Sequence, residues 1–133
     1  MQVSLDVRHA QDVIRQSVVQ ELLTAAAMIA EQRGIAFQHS VQLDQPSVPM
    51  DEQLTALLAD AMEGAGFPLK TMPSGAGHDA MVLAAKVPTG MLFLRSPGGI
   101  SHHPNEAVLE ADVEAALHVG REFLLLRRAA QLR

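Results

Sequence analysis

Residues 2–43, QVSLDVRHAQDVIRQSVVQELLTAAAMIAEQRGIAFQHSVQL, decide the fold predicted for this chain. Apolar and polar residues alternate in QVSLDVR (2–8), with Val3, Leu5 and Val7 on one side, which is typical of a half-buried strand. Apolar residues about four apart along 10–33 predict an amphipathic helix that ends at Gly34. The predicted inward face consists of Ile14, Val18, Leu22, Ala25 and Ile29.

IAFQHSVQL (35–43) predicts a second strand. The resulting strand-helix-strand unit is half of a two-layer α/β sandwich, and its open sheet edges require strands from elsewhere. The prolines of DQPSVP (44–49) predict a connector between two domains. Beyond it, the sequence predicts a helix capped by Asp51, a short helix after a Gly-rich turn in 71–87, a strand at GMLFLRS (90–96) and a last helix over 109–131. The predicted fold class is therefore α/β.

The amino-acid composition argues against several classes of function. The 133 residues carry a net charge of −5 and no marked basic patch, which argues against a nucleic-acid partner. There is no cysteine, so a disulfide framework and a cysteine zinc site are both excluded. No signal peptide or uninterrupted 18-residue apolar stretch is present, so we expect a cytoplasmic chain without a membrane partner.

Two Gly-rich loops carry the candidate chemistry. In the first, SGAGHD (74–79), the glycines allow close approach of the backbone to a ligand, and His78 is placed to donate to a polarised carbonyl. In the second, GGISHHPNE (98–106), an imidazole on a constrained loop suits zinc, and Glu106 is a candidate acceptor for its second nitrogen or a cap for the last helix. From spacing alone, ordinary polar loop residues explain both patterns better than a functional site does.

These motifs resemble one family. MPSGAGHDA (72–80), GGISHHPNE (98–106) and the opening SLDVRH (4–9) are similar to the N-carbamoyl-L-amino-acid and allantoate amidohydrolases, which belong to the dinuclear zinc aminoacylase and carboxypeptidase superfamily. The resemblance implies that residues 1–45 form the second half of a lid or dimerisation domain. It implies that residues 46–133 form the C-terminal helices and strand of a metallohydrolase catalytic domain.

The resemblance also implies roles for individual residues. His102 matches a metal ligand, and Gly77 and His78 match groups that contact the substrate near the scissile amide, with His78 as the catalytic residue. Arg8 matches an arginine that binds the substrate carboxylate, for which a planar guanidinium is well suited. The implied cofactor is Zn²⁺ or Mn²⁺, which polarises the carbonyl and activates a bridging water in the complete enzyme.

The chain also departs from the family pattern. The remaining metal ligands and the general base of the family come from upstream motifs that this sequence does not contain. We therefore expect a fragment, from a truncated gene or a split subunit, that is inactive alone and binds no metal tightly. The complete enzyme is expected to be a homodimer that acts on a small substrate with a carboxylate.

Two other functions compete with this interpretation. One is a non-catalytic α/β module that oligomerises through its open sheet, or a remnant of such an enzyme. The other is a small hydrolase that uses His78 with Asp79 and Ser74, which is disfavoured because relay residues usually come from separate segments.

Overall fold

The computed structural model describes residues 1–131 of the chain. Over that range it contains α1 (Asp12–Gln32), α2 (Glu52–Gly64), α3 (Asp79–Ala84), a 3-10 turn (Pro97–Gly99) and α4 (Glu110–Gln131). The chain divides into two compact units. Unit 1 comprises Met1–Val48 with Pro73–Gly77, and unit 2 comprises Pro49–Met72 with the chain from His78 onward. The division after Val48 falls within the proline-containing connector, whereas the lid and catalytic assignments of the two parts stay predictions.

The predicted α/β class is wrong, because residues 1–131 contain no strand. The segments 2–8, 35–43 and 90–96, each predicted to be a strand, have no paired neighbour in the described chain. Alternation of apolar side chains specifies a face, but a strand forms only when its N–H and C=O groups bond to an adjacent strand. Val3 and Leu5, which were expected to point inward, are 75% and 60% exposed.

In unit 1, helix α1 forms where predicted, but its less exposed face differs from the predicted one. The half-buried residues on α1 are Asp12, Arg15, Val19, Leu23, Ala26 and Ala30. Ile14, Val18, Leu22 and Ile29 of the predicted face are 38–50% exposed. Both stripes recur at helical spacing, since the helix is apolar on two faces, so periodicity predicted the helix correctly without selecting its buried side.

Polar contacts hold residues 44–47 against the start of α1. The Arg15 Nη2 atom lies 2.6 Å from a carboxylate oxygen of Asp44, and the Ser47 N–H donates to Asp12 at 3.0 Å. Asp44 is the main reason why the pKa of Arg15 is raised. At the other end of α1, Gly34 adopts the left-handed conformation (φ 64°) predicted for the helix stop.

In unit 2, α2 and α4 pack together and form the core. Ala61 on α2 is fully buried and Val119 on α4 is 3% exposed. The N-terminus of α2 is capped as predicted, because the Asp51 carboxylate accepts from the Leu54 N–H at 2.8 Å. Gly90 lies against α2 so closely that an added Cβ would be 3.1 Å from Leu58 Cδ1, which favours glycine there.

Much apolar surface stays uncovered. On α1, the side chains of Ile14, Leu22, Met28 and Ile29 are 43–55% exposed. Helix α1 is long and apolar enough to cross a membrane by length and composition alone, a test that the core helix of a soluble protein also passes. The apolar side chains of α1 therefore indicate a surface that is more stable when another apolar surface packs on it. They do not identify that packing partner.

Candidate functional site

Arg8, the predicted carboxylate ligand, lies in an irregular segment at the start of unit 1. Its Nε and Nη2 atoms donate to the Asp6 carboxylate, the shortest of these bonds being 2.6 Å from Nη2 to Oδ2. Its Nη1 atom donates to the Gly75 carbonyl oxygen at 2.6 Å. The Arg8 side chain is 61% exposed, so the guanidinium remains accessible to a ligand from solvent.

The Asp6–Arg8 pair also changes the acidity of both groups. Hydrogen bonds from Arg8 lower the pKa of Asp6, and the same bonds raise the pKa of Arg8. Asp6 and Arg8 are two residues apart in an extended segment, so their side chains point to the same side of the backbone and can contact each other. That spacing was visible in the sequence, and the prediction missed Asp6 because it considered Arg8 alone.

The first loop (residues 74–79) leads into α3. The Ser74 hydroxyl donates to the Ala76 carbonyl at 2.9 Å and accepts from the Ala76 N–H at 3.2 Å, which closes a tight turn. Its bonds are therefore local, which removes support for Ser74 as a hydrolase nucleophile. Gly77, the second glycine of the motif, is exposed.

His78 immediately precedes α3 with an extended backbone (φ −130°, ψ 159°), and its side chain does not cap the helix. The imidazole lies edge-on to the Phe93 ring, with centroids 6.1 Å apart. Among the hydrogen bonds of residues 1–131, none joins His78 to Asp79, its partner in the competing small-hydrolase interpretation. His78 is exposed, and its catalytic role stays a prediction.

The second loop (residues 98–106) reverses direction through three residues with positive φ. Gly98 and Gly99 adopt φ values of 73° and 66°, and His102 adopts 55°. Glu106 closes the turn: its carboxylate accepts from the His102 N–H at 2.7 Å, and its own N–H donates to the His103 carbonyl at 2.8 Å. Glu106 therefore binds the backbone of His102, which is neither the imidazole contact nor the helix cap that the sequence suggested.

A groove of about 360 Å³ lies beside the second loop. It is lined by Leu94, Arg95, Ser96, Glu106, Ala107 and Val108. Arg95 donates to Asp112 through Nε and Nη2, and this contact raises the pKa of Arg95. The Ser96 hydroxyl is buried without a hydrogen-bond partner. Sequence reasoning missed this groove because it interpreted residues 90–96 as an apolar strand.

The residues present do not make a metal site by themselves. His102 supplies one exposed imidazole, a suitable nitrogen donor for zinc. Within residues 1–131, however, there is no group of three or more His, Asp or Glu side chains that could hold an ion. A site that includes His102 requires donors from outside this set.

Comparison with known proteins places these loops in a family. The profile described as Peptidase family M20/M25/M40 matches residues 9–126, which include both loops and all four helices except the end of α4. The chain is 35% identical over 103 residues to the allantoate amidohydrolase of Escherichia coli (77% of this chain, 25% of that protein). It is 38% identical over 132 residues to the allantoate deiminase of Arabidopsis thaliana (91% and 25%).

A third relative is named for a different activity. The chain is 30% identical over 115 residues to the N-carbamoyl-L-amino acid amidohydrolase of Geobacillus stearothermophilus, covering 86% of this chain and 28% of that protein. The curated relatives are thus much longer, and the chain spans between 25% and 30% of their length. The profile match over most of the sequence nevertheless shows that the chain belongs to the M20/M25/M40 peptidase family.

Proposed function

We propose that this chain is part of a metal-dependent amidohydrolase that cleaves a carbamoyl or ureido C–N bond. The substrate class is N-carbamoyl amino acids or allantoate, small molecules that carry a carboxylate. The observation that carries the proposal is the family match, which contains both histidine loops and accompanies relatives named for these two activities.

Arg8 is the proposed carboxylate ligand. Asp6 occupies the Nε–Nη2 edge of the guanidinium, which leaves the Nη1–Nη2 edge for a second carboxylate. A carboxylate that approaches this edge accepts two parallel, charge-assisted hydrogen bonds. Its approach competes with the Gly75 carbonyl for the Nη1 group, so substrate binding is expected to loosen that contact.

Gly77 and His78 are proposed to face the scissile group. Glycine permits close approach of a substrate to the backbone, and the exposed imidazole of His78 is free to donate a hydrogen bond to the carbonyl oxygen. The edge-on contact with Phe93 leaves both ring nitrogens without a hydrogen bond to any residue in 1–131.

His102 is proposed as one ligand of a zinc or manganese ion whose other donors lie outside this chain. This division follows from the single imidazole of the second loop and from the absence of a three-donor group in residues 1–131. The isolated chain is then expected to bind metal weakly, since one protein ligand leaves the ion mostly to water.

The first test uses the isolated chain. With allantoate or an N-carbamoyl amino acid and added Zn²⁺ or Mn²⁺, we expect no ammonia release. Turnover by the isolated chain that disappears in His102→Ala would contradict the division of the site between this chain and other residues.

The second test supplies the missing part. This chain replaces the matched segment of the E. coli relative, and ammonia release from allantoate is measured. We expect His102→Ala to abolish activity and Arg8→Ala to raise KM by roughly 10- to 100-fold, the range for a lost charge-assisted hydrogen bond. His118→Ala on α4 is the control. The proposal fails if an active chimera tolerates both His102→Ala and Arg8→Ala.

A second candidate function rests on α1. The exposed stripe of Ile14, Val18, Leu22 and Ile29 favours a non-catalytic module that associates through this helix. Light scattering distinguishes the two: a defined oligomer without metal dependence, together with an inactive chimera, favours the module. The family match includes all of α1, which supports the hydrolase over this module. The homodimer and the cytoplasmic location stay predictions.

A further inference from the structure

His102 has an unusual backbone conformation. Its φ angle is 55°, and no other non-glycine residue among residues 1–131 has a positive φ. This left-handed region is unfavourable for a residue with a Cβ atom, so it persists only where the surroundings impose it. The two glycines that precede it in the loop, Gly98 and Gly99, adopt positive φ without that penalty.

The contacts of the loop identify what imposes the conformation. The Glu106 carboxylate accepts from the His102 N–H at 2.7 Å, a short distance typical of a bond to a charged acceptor. The Glu106 N–H donates to the His103 carbonyl at 2.8 Å, and the Asn105 N–H donates to His103 Nδ1 at 3.1 Å. Both the backbone and the side chain of Glu106 thus hold the turn that contains His102.

We propose that Glu106 is the positioning residue of His102. Its carboxylate selects the left-handed backbone conformation and so fixes the direction in which the imidazole leaves the loop. A change from the left-handed to the right-handed region rotates φ by about 120°, which redirects Cβ relative to the rest of the turn. The proposal rests on the proposed function in one respect, because it matters for chemistry only if the His102 imidazole is the functional group.

The test measures the His102 amide directly by NMR in the full chain. We expect this N–H to resonate downfield and to exchange slowly with water. Glu106→Ala should accelerate its exchange about tenfold or more and remove the downfield shift, as expected for loss of a hydrogen bond to a charged group. Glu106→Gln keeps an acceptor oxygen at the same reach and should rescue part of the protection.

Two further variants make the result specific. Glu110→Ala removes a carboxylate from the first turn of α4, which makes no hydrogen bond to His102, and should leave the His102 amide unchanged. In a His102→Gly background, Glu106→Ala should leave the carbon chemical shifts of the flanking residues unchanged, because glycine adopts positive φ without assistance. In the presence of His102, the same substitution should shift them.

The proposal is overturned if Glu106→Ala leaves the exchange of the His102 amide unaltered, or if Glu110→Ala accelerates it equally. Failure of the proposed function is detected separately. His102→Ala keeps both the N–H and a Cβ, so the amide remains protected even if the chimera shows that the imidazole has no part in catalysis.

Discussion

Helices α1 and α4 have nearly the same length, 21 and 22 residues, yet they differ in what covers them. Helix α4 packs on α2 and buries Val119 to 3% exposure. Helix α1 has no buried residue, and Val18 on its predicted inward face is 38% exposed. Apolar periodicity predicts both helices, whereas the burial of each helix depends on the segment that packs on it, which periodicity does not identify.

The most direct test of this comparison makes one substitution in both helices. Val119→Ala should destabilise unit 2 by about 1–3 kcal/mol, because it removes buried methyl groups and leaves a cavity. Val18→Ala removes the same atoms from an exposed site, and its effect should stay within about 0.5 kcal/mol. Hydrogen exchange of the α4 and α1 amides measures each effect locally.

Equal losses of stability from the two substitutions would contradict the inferred difference in burial between α1 and α4. A large cost for Val18→Ala would mean that α1 is covered in solution, for example by self-association. Repeating the measurement at several protein concentrations separates that outcome from packing within one chain, since only self-association depends on concentration.

A smaller difference is expected at the helix starts. The Asp51 carboxylate caps α2, whereas Gln11 precedes α1 without a side-chain cap. Asp51→Ala should therefore destabilise α2 by about 1 kcal/mol, and Asp51→Ser should recover most of that loss. Gln11→Ala should leave α1 unchanged. Helicity measured by circular dichroism during urea unfolding reports both, and a cost at Gln11 equal to that at Asp51 would contradict the assignment.

The smallest expected effect concerns the exposed pair in unit 1. Hydrogen bonds from Arg8 lower the pKa of Asp6, so the carboxyl should titrate below its ordinary range in NMR experiments. Because the folded pKa is lowered, the contribution of this pair is complete above the ordinary pKa and is lost as the pH falls through the lowered value. Arg8→Gln should return the titration to higher pH. An unchanged titration in that variant would show that the contact is not maintained in solution.

The helices could be predicted from the sequence because their determinants are local. Asp51 caps α2 and Gly34 ends α1, both as predicted. The three predicted strands failed for the opposite reason. Residues 2–8 do alternate, but a strand requires hydrogen bonds from a second segment, and neither Val3 nor Leu5 indicates where that segment is.

The candidate site also combines features that the sequence predicted with contacts that it did not. The glycine-histidine motifs identified both loops, and the family match includes His78 and His102. The contacts of Asp6 and Glu106 were not anticipated, because short-range hydrogen bonds in an irregular loop depend on backbone angles that the sequence does not specify. The left-handed conformation of His102 is the clearest case, since only a few per cent of non-glycine residues adopt it and the motif does not mark which residue will.

By itself, the sequence determined the helices, the order of the motifs and the family resemblance, since all three depend on neighbouring residues or on short patterns. Only the tertiary structure decided that the strands lack partners and which face of α1 is exposed. It also decided that Glu106 binds the backbone of His102. These properties depend on which groups contact each other in the folded chain. The free energy of each contact is set by burial and hydrogen-bond geometry, and a sequence pattern specifies neither.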